Sequence, residues 1–267
     1  MSHSLLVRGC LTALAVAIVL SLLRRAGPRV GGLAAALPMT SVPALAWASA
    51  EYGPVFAATA AVAALLTTAM TGLFALLYAH AARHWAPAHA LAVATLPVLV
   101  LTAAVAQAHC SLAGALCLAI PVLLMCGRLM PAAADAVARP GARPRHDLLK
   151  TVAIAGLSTT LIGAIAPTVP PLVCGLVAAI PVIGISTTVS VHRQGGAMAV
   201  VQFLQGYLQG QWAKGAFLAV LAWSLPQCAP GIAWAAAGLG AMAVTVALSG
   251  KPRAASSLAT MRRASTW

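Results

Sequence analysis

Acidic side chains are almost missing from this chain. Its 267 residues hold three, Glu51, Asp135 and Asp147, and charged residues of both signs make up only 7%. No carboxylate dyad, HExxH pair, phosphate-cradling glycine loop or nucleophile–base pairing appears. Enzymatic chemistry is therefore not expected, and neither a cofactor nor a metal is implied. The six cysteines include no Cys-x-x-Cys. They read as small apolar residues inside hydrophobic runs, with Cys110 and Cys228 a candidate disulfide pair. His80 and His84 flank Arg83 and read as interfacial residues, not metal ligands.

What is present is apolar. Hydrophobic residues make up 61% and the mean hydropathy is +0.95, more than 267 residues could bury as a soluble helical protein. Apolar runs of about twenty residues recur, each long enough to cross the hydrocarbon core as a helix. Breaks at Gly, Pro and charge give nine spans, near 5–23, 31–50, 55–79, 87–107, 110–127, 148–166, 171–191, 196–224 and 230–249. The expected fold is an all-α polytopic transmembrane bundle whose partner is the lipid bilayer. The first run does not read as a convincing cleaved signal peptide, because Arg24, Arg25 and Arg29 follow it and no good small-x-small site appears.

Charge tests the span count. The net charge of +13 would suggest nucleic acid in a soluble protein, but the basic residues here sit in short loops between spans. Nine spans with the N-terminus outside and the C-terminus cytoplasmic put 14 of the 16 Lys and Arg on the cytoplasmic side. That is the positive-inside bias. Only Arg8 and Lys214 fall elsewhere.

The chain also repeats itself. "GGLAAALP" at 31–38 returns as "CGLVAAIP" at 174–181, an offset of 143 that aligns 28–96 with 171–239 without gaps. Of nine Gly and Pro in the first window, six land on their own kind: Pro28, Gly32, Pro38, Gly53, Gly72 and Pro87. Chance overlay gives about one, so this is duplication. The offset lays span two on span seven, and an odd shift reverses direction across the membrane. The expected plan is a 4+1+4 inverted-topology repeat. Its parts are a first four-helix unit at 1–107, a linking helix and basic loop at 108–150, a second unit at 151–250 and a basic tail at 251–267.

Such repeats are common in secondary transporters, which bind solutes near the midplane where helices are interrupted. Pro38 and Pro181 interrupt corresponding helices, and hydroxyl residues able to meet freed carbonyls follow each: Thr40 and Ser41, then Ser186, Thr187 and Thr188. A packing kink is the competing reading. In span eight, Gln202, Gln205 and Gln209 recur on one helical face, either lining a polar path or bonding helices together, beside a Gly206–Gly210 pair suited to close approach. Lys214 lies deep in that span, where charge is costly enough to want a polar cavity, although snorkelling competes. Glu51, at the outer end of span two, is the candidate coupling residue; an interfacial loop charge is the other reading.

The first half, from "LLVRGCLTALAVAIVLSLLRRAGPRVGGLAAALP" to "EYG", resembles the GlpM-like family of small bacterial inner-membrane proteins. Arg8, Gly32-Leu33, Pro38, Glu51 and Gly53 carry the likeness, while Tyr52 stands where the family usually has arginine. The resemblance implies a bacterial cytoplasmic (inner) membrane location and a link to envelope or exopolysaccharide metabolism, without naming a substrate. Two functions remain in view. One is a small-solute permease or exporter for an anionic or strongly polar solute, working by alternating access around Pro38–Ser41 and Pro181–Thr188. The other is a non-transporting scaffold for an envelope enzyme; a homo-oligomer fits either.

Overall fold

In a computed structural model the described residues are 28–36, 38, 41–106, 110–132 and 182–249, with scattered positions in 7–17 and 149–173. Spans one and six, the basic loop, Thr40 and Pro181 lie outside the continuous described segments. Every regular element among the described residues is helical: α1 (Pro28–Ala36), α2 (Ser41–Tyr52), α3 (Pro54–Ala81), α4 (Pro87–Ala106), α5 (Leu112–Leu129), α6 (Val182–Ser224) and α7 (Pro230–Ser249).

Four of these helices carry windows long and apolar enough to cross a bilayer: Pro54–Ala81, Pro87–Val105, Leu112–Leu129 and Pro230–Leu248. The chain is an all-helical, multi-pass integral membrane protein. Burial separates the four by role. The α3 window is 83% buried, whereas those of α4 and α7 are each 11% buried. So α3 is a central helix, and α4 and α7 present Leu96, Val100, Leu239 and Val246 outward to lipid.

Local chemistry explains the ends. Gly53 (φ 88°) and Gly196 (φ 71°) are the two residues with positive φ among those described. Only a residue without Cβ enters that region cheaply. Gly53 ends α2 and lets Pro54 open α3, where a missing N–H costs nothing. Gly196 breaks α6 into two helices in the same manner. Ser111 caps α5, its hydroxyl accepting from the Gly114 amide at 3.2 Å. The expected interruption of span two is present. Pro38 is non-helical between α1 and α2, and its carbonyl accepts from the Val42 N–H at 2.8 Å.

The offset of 143 reappears in the backbone. The glycine pair is Gly53 and Gly196; α3 ends at Ala81 and α6 at Ser224; α4 spans Pro87–Ala106 and α7 Pro230–Ser249. The turn after α3 bonds Trp85 N to Ala81 O at 3.0 Å and His84 N to Ala81 O at 3.1 Å. Its counterpart after α6 bonds Cys228 N to Ser224 O at 2.9 Å and Gln227 N to Ser224 O at 3.0 Å.

The two matching long helices pack on each other. A Cβ at Gly72 would lie 3.3 Å from Leu208, and one at Gly215 would lie 3.6 Å from Leu65. Position 65 therefore meets 215 while 72 meets 208, so the helices run antiparallel. Under the offset of 143, position 65 corresponds to 208 and 72 to 215, so the two contacts are exchange images of each other, as in an isologous interface.

The apolar cores obey the same exchange. One joins Ala57, Ala58, Ala60, Ala61 and Ala64 of α3 to Phe217, Leu218, Leu221, Ala222 and Leu225 at the end of α6. The other joins Phe74, Ala75, Tyr78, Ala79 and Ala82 to Val200, Val201, Phe203, Leu204 and Tyr207. Adding 143 to each of the α3-side positions just named gives an α6-side position of the other core; Leu65, Leu66, Ala69 and Met70 also join the first core, without such an image in the second.

Arg83, Arg128 and Arg193 gather at one end of the bundle. There Tyr78 Oη lies 3.2 Å from His192 Nδ1, and His80 Nε2 donates to the Leu129 carbonyl at 3.1 Å. Glu51 is exposed at the opposite end. The candidate disulfide is corrected: Cys110 and Cys228 are both free thiols.

The antiparallel seam has a direct test. In a cysteine-free background, Leu65→Cys with Gly215→Cys and Gly72→Cys with Leu208→Cys should each crosslink efficiently, while Leu65→Cys with Leu208→Cys should not. Efficient crosslinking of the last pair alone would disprove the seam.

Candidate functional site

The second part of α6 carries three functional faces, ordered around the helix by its turn of about 3.6 residues. The first holds Gln202, Gln205 and Gln209, all half-buried. Gln205 Nε2 donates to the Pro131 carbonyl at 2.9 Å, which ties α6 to the segment leaving α5. That is the bonding role, made by at least one member of the stripe.

The second face is a glycine seam. Cβ atoms at Gly206 and Gly210 would run into the Arg29 and Leu33 carbonyls of α1, and one at Gly32 would run into the Phe203 carbonyl. Three missing side chains thus let α1 and α6 touch backbone to backbone, where van der Waals contact replaces the absent hydrophobic drive. Ala36, at the end of α1, packs against Gly210. The Pro38 break follows two residues later, so the seam sets it beside the middle of α6.

The third face, roughly half a turn from the glutamine stripe, is Tyr207, Gln211 and Lys214 at i, i+4 and i+7. All are buried, Gln211 at 1% exposure and Lys214 at 6%. The Tyr207 hydroxyl abuts Gly184, two residues into α6. Gln211 interacts with that hydroxyl, yet neither its Oε1 nor its Nε2 reaches the geometry of a hydrogen bond. Buried amides almost always find partners, so this one stands out. Lys214 faces no described carboxylate, since Glu51 lies exposed at the end of α2.

On α3 the corresponding positions are Thr68 and Thr71, with Thr67 beside them, all buried. Their needs are met within α3. Thr67 donates to Ala64 O at 2.7 Å, Thr68 to the same carbonyl at 3.1 Å and Thr71 to Thr67 O at 2.7 Å. Thr188 likewise donates to Gly184 O at 2.7 Å. At this level the unmet polar capacity belongs to Gln211; Thr95 Oγ1, on α4, is the other buried polar atom without a partner among the described residues.

Positions 68, 71, 211 and 214 all fall between the two seam contacts, 65–215 and 72–208. They form a polar belt between the two apolar cores. Of the residues anticipated from sequence, the structure brings Lys214 and the Pro38 break to this level. Ser41 (1% exposed) and Thr187 (7% exposed) are buried and Ser186 is half-buried. Glu51 is not part of the belt. Tyr207 and Gln211 were not anticipated, although Gln211 stands three residues before Lys214 and Tyr207 seven before it. No family model, curated protein or solved structure matches the chain.

The seam predicts a sharp positional contrast. Gly206→Leu or Gly32→Leu should destabilise the bundle by about 1–3 kcal/mol through overpacking. Gly231→Leu, which points into open space, should change its melting temperature little. Equal effects at Gly206 and Gly231 would remove the seam from the account.

Proposed function

We propose that this protein is a small-solute permease or exporter built as two inverted copies of one helical unit, with its solute site in the belt around Lys214. The observation that carries the reading is the buried Tyr207–Gln211–Lys214 face at the crossing of two matching antiparallel helices, next to the Pro38 break. A lysine at membrane depth costs about 2.5–3.5 kcal/mol on insertion scales, and such residues mark solute or ion pathways by default. A buried amide left unsatisfied beside a buried lysine is explained by a ligand that meets both.

The pseudo-symmetry supplies the motion. When two units exchange roles about an axis in the membrane plane, the open and closed ends of the path swap, which is alternating access. Each apolar core contains one end from each unit, so loosening one core while tightening the other requires no new contacts in kind. Coupling would draw on a solute or ion gradient, with Glu51 the carboxylate at the outer mouth. The nine spans expected from the sequence, with α3, α4, α5 and α7 among them, and the resemblance to GlpM-like proteins support a bacterial inner-membrane location with the basic end of the bundle in the cytoplasm.

Topology and flux test separate parts of the reading. Glu51→Cys and Gln194→Cys, at exposed positions offset by 143, should be labelled from opposite faces of the membrane; labelling from one face would end the inverted repeat. In reconstituted vesicles screened with small organic anions, Lys214→Ala should fold and lose at least about tenfold in flux. A folded wild-type chain that moves none of them would favour the scaffold instead.

A further inference from the structure

The chemistry of the belt narrows the ligand, and this step rests on the solute-site reading just given. Lys214 offers a positive charge with donors and no acceptor. Gln211 offers both a donor and an acceptor, and each is unspent. The two side chains lie one turn apart on one face, with Tyr207 below them. Were Gln211 structural glue, it would resemble Gln205, whose amide has found a carbonyl. The hydroxyl protons across the crossing are given to carbonyls of their own helix, so no threonine donor on α3 competes for the Gln211 Oε1. A bare carboxylate would satisfy Lys214 and the Gln211 Nε2, but would leave Oε1 facing an acceptor. A phosphate dianion would leave charge uncompensated against a single lysine. A cation would meet Lys214 with no described acid to offset it.

We propose that the site takes a small carboxylate carrying its own hydrogen-bond donor beside the charge, a hydroxy acid or amino acid. Lys214 meets the carboxylate, and Gln211 accepts from the neighbouring hydroxyl or amino group through Oε1. The amide is then a specificity residue, since a site built to bond a ligand donor rejects the analogue lacking it.

Three probes decide this: acetate, glycolate and glycine, titrated calorimetrically into the full chain in lipid nanodiscs. Glycolate or glycine should bind at least tenfold more tightly than acetate. Gln211→Leu should collapse that preference, and Lys214→Met should weaken every probe that binds. Without ligand, Gln211→Leu should raise the melting temperature, because it removes an unsatisfied amide; a purely structural glutamine would lower it. Equal binding of the three, no binding of any, or a preference that survives Gln211→Leu overturns the proposal. Discriminating binding without vesicle flux of the same probes would sink the carrier and keep this site. Lys214-dependent flux of another solute, with no preference among these probes, would do the reverse.

Discussion

The contact between α3 and the second part of α6 is the constraint on which the other features depend. In lipid, apolar surface gains nothing by leaving the solvent, so helices associate through close packing and polar bonds. A central pair must therefore fit closely along its length, and here the fit is set by small residues. Gly72 and Gly215 admit Leu208 and Leu65, and each leucine occupies the place its counterpart occupies on the other helix. With that reciprocity fixed, the two apolar cores must fall on either side of the crossing, and whatever is polar must fall between them. The belt is a consequence of the seam.

The two cores are alike in position and unlike in composition. Five alanines of α3 stand where the partner core has Val200, Val201, Phe203, Leu204 and Tyr207. Volume is conserved by different means on the two sides. At the α6 side, bulky residues share the space with α1, which reaches the backbone only because Gly206, Gly210 and Gly32 have no side chains. Strict symmetry was thus relaxed in side chains while being kept in backbone, down to the turn hydrogen bonds after α3 and α6.

This difference explains what the sequence could and could not disclose. Gly and Pro were informative because they answer to backbone geometry. Gly53 and Gly196 share a conformation closed to other residues, and Pro38 marks a real helix break. The span boundaries of 55–79, 87–107 and 230–249 fell within a few residues of α3, α4 and α7, because composition changes sharply at a membrane surface. The polar site was legible only in part. Lys214 announces itself by cost, whereas Gln211 looks like its neighbours Gln205 and Gln209 until packing shows which amides have partners. A 3.6-residue period assigns faces, but not what each face touches. Gln205 has a partner and Gln211 has none because the Pro131 carbonyl lies against the first.

The chemical asymmetry of the belt follows from its place near the crossing. Positions 71 and 214 are exchange counterparts, and both lie between the two reciprocal contacts, so side chains there face toward the same small region. Two lysines would set like charges against each other at low effective dielectric, where Coulomb repulsion is several times stronger than in water. A lysine at one of two such paired positions is compatible only with a neutral residue at the other. Threonine suits that other position, since its hydroxyl bonds back to its own helix and asks nothing of the crossing, as Thr68 and Thr71 do. The same reasoning holds for Gln211 opposite Thr68: two amides there could bond each other, whereas the Gln211 amide has no partner among the described residues.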